Sequence, residues 1–224
     1  MSKNKKNSAA LHVATPFIML LLCVGILAAA LVKPADKLKM LLNVAFMDSF
    51  KADSDETGLV IRPNEIVTDY EGETSSEGKV KQPKFGEQFA VLSTKALATD
   101  VPVYYGSGAE LLEHGACMSS DSSVPGKGGN AVVSAHVDTF FADLDKLKVG
   151  DKVTISTNYG KFTYEVSELI SFADNNTKYV KQTKDDRLTV YTCTKELLGN
   201  SNSRIGAVCK LTEKAFYVDE KEGE

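Results

Sequence analysis

Leu188-Thr189-Val190-Tyr191-Thr192-Cys193 reads as a β-strand that ends on a cysteine. Its β-branched and aromatic residues suit a pleated surface. Successive side chains alternate faces, so if Leu188 and Val190 face a core, Thr189, Tyr191 and Cys193 face the other way. Two more strand-like runs flank it. Upstream, Ala131-Val132-Val133-Ser134-Ala135 leads to His136, and downstream Arg204 begins Arg204-Ile205-Gly206-Ala207-Val208-Cys209-Lys210-Leu211. In the last run Ile205, Ala207, Cys209 and Leu211 form the apolar set, which leaves Arg204 on the opposite face. Cys209 thereby reads as a small buried hydrophobe, the usual fate of a free cysteine.

Outward from this stretch the pattern stays β. Further strands are expected at Gln88–Leu92, Val101–Tyr104, Lys152–Ser156 and Lys161–Ser167, where Phe162, Tyr164 and Val166 alternate with polar residues. Asn158-Tyr159-Gly160 supplies a hairpin turn between two of them. Short helices are expected at Gly108–His114 and Phe140–Leu147. So many short strands with so few helices argue for a single β-barrel or sandwich of about 130 residues.

A chain of 224 residues holds one cored domain plus extra segments. The formal net charge of −4 argues against general nucleic-acid binding. No Asp, Glu, Lys or Arg occurs between Lys6 and Lys33, and Val13 to Val32 is long enough as a helix for a bilayer core. Lys3, Lys5 and Lys6 precede it, which places the N-terminus in the cytoplasm and the rest outside the membrane. Lys33, Lys37 and Lys39 on the far side weaken that orientation slightly. Ala28-Ala29-Ala30 offers a signal-peptide cleavage site as an alternative, but the apolar run is longer than a usual signal core. The chain therefore divides into a cytoplasmic N-terminus (1–12), a transmembrane anchor (13–33), an extracytoplasmic stalk (34–84), a folded β-domain (85–217) and an acidic tail (218–224). Within the stalk, Lys37–Phe50 is expected to form a short amphipathic helix, and the segment beyond it is rich in Asp, Glu, Ser and Gly and reads as a mostly solvated linker, with the alternative that a segment of it folds back over the domain.

Four cysteines occur, and Cys23 lies inside the anchor, leaving Cys117, Cys193 and Cys209 as an odd set outside it. No CxxC or His/Cys ligand spacing supports a zinc site, and no ordered acidic spacing marks a calcium loop. Neither a metal nor another cofactor is expected. A thiol at its reference pKa is only about 3% thiolate at pH 7, so a nucleophilic Cys193 needs a base or a nearby positive charge. His136 could serve as acid and base. Arginine is scarce, with only Arg62, Arg187 and Arg204, and Arg204 could act as a fixed donor to substrate or oxyanion. His114 closes a helical turn and reads as decoration. No GxSxG elbow occurs, and Gly126-Lys127-Gly128-Gly129-Asn130 lacks the strand-then-helix setting of a phosphate loop.

Thr189-Val190-Tyr191-Thr192-Cys193 resembles the sortase signature TLxTC. Pro125 through His136 resembles that family's loop and histidine strand. Asp138-Thr139-Phe140-Phe141, followed by Leu144, Leu147 and Gly150-Asp151, is similar to the segment that comes next. The resemblance covers about Phe85 to Leu211 and is greatest to class D, with the pilin-polymerising class C second. It implies an all-β fold: a closed eight-stranded sortase-type barrel with short helices, behind one N-terminal transmembrane helix on a Gram-positive cell surface. It also implies cleavage of an LPxTG-like C-terminal sorting signal between Thr and Gly, through a thioacyl intermediate. The acyl group then passes to an amine of a peptidoglycan precursor or to a pilin lysine. By motif, Cys193 is the nucleophile, His136 the acid/base, Arg204 the substrate-holding or oxyanion-stabilising residue, and Thr192 a substrate contact. Two departures stand out. Ala135 replaces the common Gly before the histidine, and Thr194-Lys195-Glu196-Leu197-Leu198-Gly199 replaces the aromatic-Pro-Phe run that often follows the cysteine in class D.

Two other readings compete. An L,D-transpeptidase-like wall enzyme would place its Cys and Arg closer together in an SxGC-type motif, which is absent. A non-catalytic surface β-domain would make Cys193 merely structural.

Overall fold

The strand-like runs of the sequence close on themselves through their two outermost members. A computed structural model describes residues 19–21, 23, 61–195 and 202–218. It contains β1 (Thr74–Ser75), β2 (Gln88–Thr94), β3 (Val101–Tyr105), β4 (Ala116–Met118), β5 (Asn130–Ser134), β6 (Lys152–Thr157), β7 (Gly160–Ala173), β8 (Arg187–Cys193) and β9 (Ser203–Tyr217). The sheet order is β1-β9-β7-β6-β2-β3-β4-β5-β8, and β8 pairs back onto β9. Eight strands therefore form a closed barrel, as the sequence led us to expect, and closure removes the open edges that invite aggregation. The ninth, β1, occupies the edge of β9 beyond the rungs taken by β8, through Thr74↔Tyr217 and Ser75↔Phe216.

The interior follows strand parity. Leu188 and Val190 of β8 face inward with their β9 partners Cys209 and Ala207, all of them fully buried. Ala131 and Val133 of β5 share that face. Ile205 and Leu211, expected in the same set, are half-buried. The expected hairpin is present: Thr157 pairs with Gly160 across Asn158 and Tyr159. Strand β7 runs well past Ser167 because a bulge between Val166 and Glu168 resets its register on β9. That reset puts Ile170 and Phe172 on the outer face, where they bury with Val208.

Three local expectations change. The strand expected to reach His136 ends at Ser134. The Ala135 carbonyl is taken by the Thr192 side chain rather than by a sheet ladder, and the His136 carbonyl accepts from the Phe141 N–H in a turn. The helix expected over Phe140–Leu147 is a run of turns with one 3-10 segment, Leu144–Lys146. Its hydrogen bonds, Leu144 to Phe141 and Leu147 to Leu144, span three residues. Buried Phe141, Leu144 and Leu147 recur every third residue, which a 3-10 path stacks on one side and an α-helix would splay. Strand β4 was not foreseen; its three residues pair parallel to β3 directly after the helix Ala109–His114.

Residues 61–84 run along the barrel. Ile61 is buried against Tyr104, Leu111 and Cys117. Arg62 bridges to Glu87. Tyr70 stacks on Tyr217 at 3.9 Å, and its hydroxyl donates to the Val218 carbonyl.

Met1–Leu42 and Asn43–Glu224 are separate compact units. In the first, Met19, Leu20, Leu21 and Cys23 are helical and exposed; the rest of the anchor expected at 13–33 lies outside the described residues, as does the N-terminus 1–12. Among the described residues no helix is long and apolar enough to cross a membrane. The helix expected at Lys37–Phe50 and the tail after Val218 also lie outside them.

Candidate active site

Cys193 is the last residue of β8 and Arg204 the second of β9, and the two are direct antiparallel partners. Directly opposed residues share a face, with Cβ atoms about 4.5–5.5 Å apart. On the other side of β8, the parallel strand β5 sets Ser134 level with Tyr191. His136 lies two residues past Ser134, as Cys193 lies two past Tyr191. Cys193 and Arg204 thus lie on one rung, and the chain that leads to His136 runs beside β8 as far as Ser134, where the ladder stops. Cys193 and Arg204 belong to the outer face of the barrel, the side opposite Leu188 and Val190.

Thr192 maintains this alignment beyond the ladder. Its hydroxyl donates to the Ala135 carbonyl at 2.7 Å, which ties the residue before the nucleophile to the residue before the histidine. It is 2% exposed and points inward, so its place differs from the substrate contact expected of it: parity puts it on the core side, and its hydroxyl is already engaged. The departure at Ala135 is accommodated without strain, since no residue other than glycine has a positive φ among those described.

The cysteines separate by environment. Cys117 and Cys209 are buried, and burial pushes each thiol up to about 12. Both therefore stay protonated and unreactive at neutral pH. Cys193 is half-buried and free. His136 is exposed and Arg204 half-buried. An Arg204 Nη donates to the Ser203 carbonyl at 3.1 Å. The segments that follow Cys193 and His136 also touch, where the Lys195 ammonium donates to the Ala142 carbonyl, and the Thr194 N–H donates to the carbonyl of Ser203, the residue before Arg204, at 3.0 Å. Residues 196–201, most of the unusual run after Cys193, lie outside the described residues.

A floor of aromatic residues adjoins this level. Phe172 of β7 is the β9 partner of Arg204. Tyr191 meets Phe172 edge-on at 5.7 Å, and Tyr179 meets it at 5.5 Å. Gly206 lies beneath Tyr191. A Cβ there would sit 2.0 Å from the Val190 carbonyl oxygen and 2.7 Å from the Tyr191 Cα, so only glycine lets the two strands approach so closely. Tyr179 and Val180 pack onto the same patch from the β7–β8 loop, which sets that loop against Tyr191, two residues before Cys193 on the same face of β8. This wall was not foreseen from the sequence. Asn130 is its one legible signal: a fully buried amide heading an apolar strand must find partners.

Chemically, the arrangement offers a thiol directly opposite an arginine, with an imidazole just beyond the end of the neighbouring strand, groups of the kinds that nucleophilic catalysis with proton transfer uses. Among the described residues no cluster of three or more His, Cys, Asp or Glu side chains is arranged to hold a metal ion.

Comparison with known proteins gives concordant results. The family model for the sortase domain matches residues 92–212. The chain is 30% identical over 113 residues to sortase D of Bacillus subtilis (strain 168), covering 50% of this chain and 57% of that protein. It thus spans little more than half the length of that relative. It is 23% identical over 168 residues to sortase A of Bacillus anthracis, covering 69% of this chain and 80% of that one. Among solved structures, a Clostridium perfringens sortase D5 transpeptidase superposes with a TM-score of 0.54 at 25% identity, covering 59% and 83% of the two chains. Streptococcus agalactiae sortase C1 superposes with a TM-score of 0.52 at 28% identity, covering 61% and 72%.

Proposed function

This chain belongs to the sortase family, and from that premise we propose that it is a membrane-anchored cysteine transpeptidase acting on LPxTG-like sorting signals. The observation that carries the reading is the direct pairing of Cys193 with Arg204 across β8 and β9, with Thr192 tied on the other side of β8 to Ala135, the residue before His136. In the forward step the Cys193 thiol gives its proton to His136 and the resulting thiolate Sγ attacks the Thr carbonyl carbon of the signal. Arg204 donates to the oxygen that gains charge. The Thr–Gly C–N bond breaks as His136 protonates the departing glycine amine. The thioester on Cys193 is then attacked by a second amine, which gives up its proton to His136. The C–S bond breaks, and the thiolate is restored.

The acceptor amine is proposed to belong to a peptidoglycan precursor. The likeness to a sortase C1 of a pilus island favours, as a second reading, a pilin lysine. The apolar run over 13–33 and the lysines before it support anchoring with the catalytic domain outside the membrane.

Incubation of the protein with a quenched LPxTG-type peptide and a diamine acceptor tests the reading. We expect cleavage between Thr and Gly, transfer product by mass spectrometry, and an acyl adduct on the Cys193 peptide. Cleavage that survives Cys193→Ala would sink it.

A further inference from the structure

The β7–β8 loop, residues 174–186, carries no regular structure, yet it is fastened to the outer face of the barrel by polar groups from the sheet. Asn130 is fully buried at the start of β5. Its Nδ2 donates to both the Tyr179 and Lys181 carbonyls at 2.9 Å, and its Oδ1 accepts from the Thr189 hydroxyl at 2.9 Å. The Tyr179 carbonyl also receives an Arg187 Nη at 3.0 Å and lies 3.1 Å from the Thr189 hydroxyl, whose single proton it shares with the Asn130 Oδ1. Further along the loop, the Gln182 Nε2 donates to the Asp121 carbonyl at 2.9 Å, and its Oε1 accepts from Ser123.

This is an unusual concentration of side-chain donors on one loop backbone. Buried amides of this kind are costly unless every group is paired, and Asn130 pairs both ends of its side chain. What the network holds down is the turn that carries Tyr179 and Val180. Those two side chains complete the apolar patch with Ile170, Phe172, Val208 and Tyr191. Phe172 is the partner of Arg204, and Tyr191 lies two residues before Cys193 on the same face. Anything bound along that face at Cys193 therefore has the loop for a neighbour.

Resting on the transpeptidase reading above, we propose that Asn130 is a positioning residue that latches the β7–β8 loop as a preformed wall of the groove beside Cys193. It touches no reacting atom. Its effect is to spare the incoming peptide the entropy of ordering the loop, so its loss appears in substrate affinity rather than in the chemical step.

The test compares the wild-type chain with Asn130→Ala and, should that variant fold poorly, with Thr189→Val, which keeps the side-chain shape and removes the hydroxyl; Thr189→Ser is the rescue. The first readout needs no substrate. Lys178, Lys181 and Lys184 make the loop a trypsin target, and loop cleavage is expected to accelerate about tenfold in Asn130→Ala, as suits the loss of buried hydrogen bonds. The second is kinetic. KM for an LPxTG-type peptide is expected to rise about tenfold, with kcat and the iodoacetamide labelling rate of Cys193 within about twofold of wild type. Thr189→Val should shift both readouts the same way and Thr189→Ser restore them. Unchanged loop cleavage in both Asn130→Ala and Thr189→Val, or a fall in kcat at constant KM, overturns the proposal. Because loop cleavage is read without substrate, a wild-type protein that cuts no sorting signal defeats the transpeptidase reading, and the latch is then judged on protection alone.

Discussion

Cys193 and Arg204 face each other across the final antiparallel rung between β8 and β9. Backbone hydrogen bonding thus fixes the two residues that carry the thiol and the guanidinium opposite each other. Arg204 cannot usefully lose its proton, and its planar fork differs from an ammonium. Arg204→Lys keeps the charge and loses the fork. We expect peptide cleavage to fall about a hundredfold in kcat, with the thermal midpoint nearly unchanged. Steady-state kinetics beside a melting curve check this, and wild-type turnover in the lysine variant would count against the assigned role.

Cysteine accessibility gives a second prediction. Burial holds Cys117 and Cys209 protonated, whereas Cys193 is half-buried on the outer face. Iodoacetamide near neutral pH should therefore modify Cys193 and spare the other two in the folded protein. Peptide mapping scores Cys23, which is exposed, separately. Equal labelling of Cys209 and Cys193 would contradict the packing described.

Thr192 gives a third. Thr192→Val preserves shape but leaves the buried Ala135 carbonyl without its donor. The expected cost is about 1–3 kcal/mol in urea denaturation, and Thr192→Ser should recover most of it. Cleavage should also slow in the valine variant, since the tie between the histidine and cysteine segments is lost.

Gly206→Ala is the fourth. The new Cβ meets the Val190 carbonyl oxygen and the Tyr191 backbone rather than a flexible side chain. Strands β8 and β9 must separate to admit it. We expect a loss of at least about 1–3 kcal/mol together with impaired cleavage. A variant of wild-type stability would show that the strands yield more readily than their packing implies.

Alkaline pH supplies the fifth. Burial raises the Cys117 and Cys209 thiols from an ordinary 9.0 to about 12, and the Tyr104 hydroxyl from 10.0 to about 12. The folded state holds these protons more tightly than the unfolded one. The stability they contribute is complete below the unfolded values and is lost as pH rises from about 9 towards about 12. Urea midpoints should therefore fall steadily above about pH 9, and Cys209→Ala should flatten that slope. A flat profile in the wild-type protein would argue that these groups are hydrated.

Leu188 through Cys193 was legible as a strand because its alternation is strong and its neighbours are β-branched or aromatic. The same parity argument separated Cys193 from Cys209 and set Arg204 opposite the apolar set. Periodicity misled at Phe140–Leu147, where apolar residues three apart fit a 3-10 path as well as an α-helix. It also gave no warning of the bulge after Val166, which turned Ile170 and Phe172 outward.

The sequence alone determined that a thiol, an imidazole and a guanidinium stand at or near strand ends in this chain, because local alternation and composition are written residue by residue. Which strands become neighbours is not local. The parallel pairing of β5 with β8, and the closure of β8 onto β9, bring His136 and Arg204 to either side of Cys193 across 57 and 11 residues of chain. Only tertiary structure decided that. It also gave the Thr192 hydroxyl the Ala135 carbonyl and drew the β7–β8 loop onto Asn130, since both depend on where buried polar groups, once the barrel has closed, can find partners.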